Sequence, residues 1–168
     1  MTEAVSQTQK MISNMTPVLD DEEFIFCTTA DASLAAQVQP DALSWFREEE
    51  GIALILPFST AKAFGFETSL RMRRIVLQVH SALDAVGLTA AVSSALAASG
   101  IPCNMVAAFH HDNVFIPSTM ADRAMTVLQQ AQAQAAAGSD ADLRNCRSLH
   151  SAPTASRGGR RDRRDDES

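Results

Sequence analysis

Residues 74–117 read RIVLQVHSALDAVGLTAAVSSALAASGIPCNMVAAFHHDNVFIP, and this stretch decides the fold. It opens on a β-branched run, residues 74–80, with the composition of a strand. Residues 85–99 then change period. Val86, Ala90 and Ala97 fall on adjoining turns, with Leu88, Val92 and Leu96 beside them, so one broad helical face is apolar. Gly100 and Pro102 stop that helix. Residues 103–109 and 113–116 read as strands, and His110-His111-Asp112 between them is a hairpin-sized gap. After Pro117, with Ser118 or Thr119 as N-cap, residues 119–136 place Met120, Ala124, Val127, Leu128 and Ala131 on one side of a second helix.

The order strand, helix, strand, strand, helix is that of a ferredoxin-like βαββαβ unit short of its last strand. Working outward, the first half looks like a weaker copy. A strand at 24–29 leads through a poorly defined connection to a hairpin, 42–48 into 52–56, and a short helix at 59–64. The run at 74–80 can either close the first unit or open the second. The expected fold class is therefore α+β: two ferredoxin-like units in tandem, the first abbreviated. Each would be an antiparallel sheet with helices on one face. The expected divisions are a flexible N-terminus at 1–10, a first unit at 11–68, a second at 69–137 and a disordered mixed-charge tail at 138–168.

Charge separates the body from the tail. Residues 1–137 carry 7 Lys and Arg against 14 Asp and Glu, a net of −7. Residues 138–168 carry 7 Arg against 6 acidic residues, a net of +1. An acidic body argues against a nucleic-acid partner or an anionic membrane, since both need a basic footprint. The tail has almost nothing to bury and reads as solvated chain. No apolar run approaches the roughly 18 residues that span a bilayer. The first residues lack the basic and apolar regions of a secretory signal. Cys27, Cys103 and Cys146 are too few and too scattered for a disulfide framework or a zinc pair, so a reducing, cytoplasmic setting is expected.

Catalytic motifs are missing: there is no G-x-S-x-G, P-loop, G-x-G-x-x-G or H-E-x-x-H. No enzyme activity, cofactor or metal site is expected. Adjacent His110 and His111 would point to opposite faces of a strand and share an ion poorly. Cys103 reads as a small hydrophobe, Glu48-Glu49-Glu50 as a solvated hairpin turn, and Trp45 with Phe46 as anchors of a core between the units.

Residues 79–92, 100–107 and 110–117, with Phe24-Ile25-Phe26-Cys27 and residues 48–54 upstream, resemble the small ACT-domain proteins built from two ACT-like units. The resemblance covers about residues 11–130. It implies an amino-acid-binding regulatory or sensor module with no catalytic domain attached. Such a module would act through a homo-oligomer or a partner protein. The alternative is an interaction or structural module without a ligand. The resemblance also puts the ligand at the strand-to-helix junction. Ser81, Asp84, Val86, Gly87, Leu88 and Asn104 are the candidate binding residues. The N–H groups near Val86, Gly87 and Leu88 would take a carboxylate. Asp84 would cap the helix or meet the ammonium. Gly87 would let a ligand or a second backbone approach closely, and Asn104 would donate and accept.

Overall fold

The computed structural model describes residues 2–79 and 86–149. Helix α1 (Thr2–Asn14) runs into a long strand, β1 (Thr16–Thr29). Helix α2 (Ala32–Val38), the hairpin β2 (Ser44–Glu48) and β3 (Gly51–Pro57), and helix α3 (Phe58–Ala63) follow. The second half repeats the order: β4 (Met72–Gln78), α4 (Leu88–Ala98), β5 (Asn104–Ala107), β6 (Asp112–Pro117) and α5 (Ala121–Leu149). A short 3-10 turn, Ser118–Met120, leads into α5.

The six strands form one antiparallel sheet, in the order β2-β3-β1-β4-β6-β5. The two expected sheets are thus joined edge to edge through β1 and β4. The first unit reads β2-β3-β1 with β4 as its fourth strand. The second reads β5-β6-β4, and its fourth strand is the beginning of β1. Residues 16–19 pair with β4 at Gln78 to Ile75, while residues 24–29 pair with β3. Each unit therefore completes the other's sheet, and the run at 74–80 both closes one unit and opens the next.

Alternation along the strands sets two faces. One faces the helices. Ile75, Leu77, Val114 and Ile116 pack there against Leu88, Val92 and Leu96 of α4 and Ala124 and Leu128 of α5. Ile25, Leu54 and Leu56 pack against Val38 and Ala61 in the first unit. The other face carries Phe24, Ile55, Met72 and Phe115. Both hairpins end the same way, in a proline followed four residues later by a buried alanine: Pro57 with Ala61, Pro117 with Ala121. A methyl group at that place lets the helix lie close on the sheet.

Four expectations need correction. The first ten residues are not a loose end: residues 2–14 form α1, whose Met11 and Ile12 pack against the core beside the buried Met15. The strand expected at 24–29 begins already at Thr16, and residues 32–38, within the poorly defined connection, are a helix. The last helix continues through Leu149, beyond the expected stop near residue 137; residues 150–168 lie outside the described residues. Trp45 and Phe46 do not anchor a core between the units. They sit on the edge strand, 44% and 51% exposed.

Candidate functional site

At the end of β4 the chain leaves the sheet beneath α1. A cavity of about 670 Å³ opens there, lined by Lys10, Met11 and Asn14 of α1, by Gln78 and Val79, and by His111 ahead of β6. Its size suits a small molecule. Its wall combines an ammonium, two amides and an imidazole with the apolar Met11 and Val79. Nδ1 of His111 is buried there with no hydrogen-bond partner.

Val79, on this wall, is joined by residues 80–85 to Val86 and Gly87 at the head of α4. The two halves differ sharply at this place. In the first unit Asp31 caps α2, its carboxylate accepting from the N–H groups of Ser33 (2.8 Å) and Leu34 (3.2 Å). In the second unit the N-cap is Gly87, which has no side chain to give. Among the described residues, no carboxylate takes the first N–H groups of α4 as Asp31 takes those of α2.

Gly87 has φ of +106°, a conformation that favours glycine. A Cβ built there would lie 2.3 Å from Oγ1 of Thr8. That hydroxyl donates to the carbonyl of Val86 at 3.0 Å. The close approach anticipated at Gly87 is therefore made by the protein's own first helix.

The expected binding residues fall in different places. Ser81 and Asp84 lie outside the described residues; the N-cap assigned to Asp84 belongs to Gly87. Val86 is largely exposed and Leu88 is buried in the core. Asn104 pairs with Phe115 and so sits on the face away from α4, whereas Met105 beside it packs towards the helices. Asn104 is not brought to the head of α4. Lys10 went unnoticed in the sequence because residues 1–10 read as loose, and Asn14 and Gln78 because nothing local shows that α1 docks at the end of β4. The signal that could have found them is the apolar pair Met11-Ile12, followed three residues later by Met15.

The remaining polar groups are structural. Glu48, Glu49 and Glu50 are exposed around a hairpin turn. Cys103 is half-buried against the core. Among the described residues, no three His, Cys, Asp or Glu side chains converge as metal ligands. Among them too, no helix is long and apolar enough to cross a membrane.

Two sequence profiles, both of the ACT domain, match residues 4–73 and 70–130. A Vibrio cholerae protein of unknown function, described as a possible transport protein, is 33% identical in sequence. The match covers 77% of this chain and 98% of that one, with a TM-score of 0.68. An Agrobacterium tumefaciens protein is 16% identical over 71% of this chain and 90% of its own, with a TM-score of 0.55. The ligand-free regulatory subunit of aspartate kinase from Thermus thermophilus is 17% identical over 70% and 97%, with a TM-score of 0.54. The last two likenesses establish the fold alone. Among curated proteins nothing matches.

Proposed function

The chain belongs to the ACT-domain family, and from that premise we propose that it is an amino-acid-binding regulatory or sensor module. The observation that carries this reading is the cavity at the end of β4, where Lys10, Asn14, Gln78 and His111 stand beside Met11 and Val79, together with a helix head whose N-cap is a glycine. An amino acid supplies what such a place lacks. Its carboxylate suits Lys10 and the N–H groups at the start of α4. Asp84, three residues before Gly87 in sequence, suits its ammonium, and Ser81 can hydrogen-bond either group. Binding would tie α1, residues 80–85 and the β5–β6 hairpin together. The protein transmits that change to a second copy or to a partner protein; it performs no chemistry itself.

A second reading, an interaction module without a ligand, draws on the contact of Thr8 with Gly87, which closes one approach to the helix head. A thermal-shift screen against the twenty amino acids separates the two. A ligand present at about 100 times its Kd adds about 2.7 kcal/mol of stability. The ligand-binding reading expects one amino acid, or one chemical group of them, to raise the Tm, and Lys10→Glu to weaken that ligand in titration calorimetry. No shift with any amino acid at millimolar concentration favours the interaction module.

A further inference from the structure

The sheet face turned away from the helices has a core of its own. Phe24, Ile55, Met72 and Phe115 are buried there, with Val106 packed against them, and all five lie on strands. Phe115 stands edge-on to Phe24 and to Phe26, with ring centres 5.8 and 5.1 Å apart. Beside this cluster lies a cavity of about 380 Å³. Its lining runs from Ser44 on one edge strand, across Ile55, Val76 and Phe115, to Val106 on the other. Both edges of a six-stranded sheet border one hollow, so the sheet is curled around it.

Charge narrows what fits. Arg74 is the one Lys, Arg, Asp or Glu among the described lining residues. Its guanidinium is already engaged: Nε donates to Asp20 at 2.9 Å, Nη2 donates to the same oxygen, and the group lies 5.3 Å from the centre of the Phe24 ring. An anion therefore meets no free guanidinium and a cation no free carboxylate. Nδ1 of His111, which borders this hollow as well as the cavity at the end of β4, is buried and unpartnered. Leaving such an atom unpaired costs free energy that a ligand's hydroxyl or amide would recover.

We propose that the hollow is a second binding site, for a neutral small molecule with an aromatic or compact apolar body and one hydroxyl or amide group. The body lies on Phe115, Ile55 and Val76, and the polar group pairs with Nδ1 of His111. A space bordered by both sheet edges admits such a body and not the sheet of a second copy. Among the described residues the two cavities share His111; the rest of the hollow lies on the face turned away from the helices.

Titration calorimetry on the full chain with 2-naphthol and naphthalene tests this. Both bind, and 2-naphthol binds roughly 2- to 10-fold tighter, as one added hydrogen bond predicts. Val76→Trp fills the hollow and weakens both by roughly tenfold or more. His111→Phe leaves both binding but abolishes the preference for 2-naphthol. Should Val76→Trp fail to melt cooperatively, Val106→Phe on the edge strand replaces it. The proposal is overturned if wild type binds neither compound at its solubility limit. It is equally overturned if both cavity variants bind as wild type does, or if the preference survives His111→Phe. Light scattering covers the remaining occupant: a wild-type dimer that ignores naphthalene and becomes monomeric with Val76→Trp would assign the face to a second copy.

Discussion

Asp20 accepts from both Nε and Nη2 of Arg74, across the point where β1 loses register with β4 between Leu19 and Glu23. The carbonyl of Asp20 also accepts from Arg73. One residue thus ties down both arginines of β4 at the bulge where β1 passes from one unit to the other. Burial by itself would raise the Asp20 carboxyl. The N–H of Glu22 and the bond and charge of Arg74, with the charge of Arg73, outweigh it and hold the group below the ordinary carboxylate value.

That depressed value sets a pH dependence. The stabilisation is fully present above the unfolded value of about 3.9 and disappears as pH falls through the lower folded value. Asp20→Asn should cost about 1–2 kcal/mol at pH 7, a modest figure because the pair is partly exposed. The gap between variant and wild type should shrink below about pH 4. Urea unfolding at pH 7 and pH 3 measures both; a gap that stays constant with pH would remove Asp20 from this role.

Gly87→Ala should destabilise by about 1–3 kcal/mol, from the positive φ and from the collision with Thr8. Thr8→Ala removes the colliding hydroxyl and methyl. The double variant should therefore cost less than the two single changes added together, by about 0.5 kcal/mol or more. A double-mutant cycle by denaturant unfolding reads the coupling, and strict additivity would mean that α1 does not rest on Gly87.

Desolvation pushes the Cys27 thiol up to about 11. Only about one molecule in a thousand is then thiolate at pH 8, and the thiolate is the reactive form. Iodoacetamide at pH 8 should leave Cys27 unmodified in the folded protein and label it after unfolding in urea, as peptide mass spectrometry would show. Rapid labelling in the folded state would contradict the packing of β1 on β3.

The two faces of the sheet make Asn104 and Lys10 opposite tests of the amino-acid site. Asn104→Ala should leave affinity unchanged, because Asn104 shares the face of Phe115. Lys10→Glu should weaken binding by roughly tenfold or more, by replacing an attraction for carboxylate with a repulsion. Calorimetry with the amino acid found by thermal shift decides it; the reverse pattern would move the site to the other face.

The tandem plan was legible because the second unit is locally consistent. Its strands are β-branched, its helix has the right period, and Gly100 with Pro102 ends that helix where the structure ends it, at Ala98. What escaped reading depends on partners far along the chain. Residues 16–23, PVLDDEE within them, carry too much charge to look like a strand; they become one because Arg73 and Arg74 neutralise Asp20. Helix α2 is marked by Asp31, whose carboxylate accepts from Ser33 and Leu34, but at seven residues it is too short to show a clear helical period. Of the candidate site, the junction at residues 86–88 was visible as a glycine ahead of an apolar helix. The face of Asn104 depends on hairpin register, and Lys10 on where α1 docks, and neither is written in local pattern.

The exchange of strands between the units has a consequence for folding. Residues 16–19 are the opening of one half by sequence and the closing strand of the other by position, so neither half holds a complete sheet when severed before β4. The tandem should melt in a single cooperative transition, with calorimetric and van't Hoff enthalpies in agreement. Its slowest step should be the long-range meeting of β1 with β4, some fifty-five residues apart, instead of the closure of either hairpin.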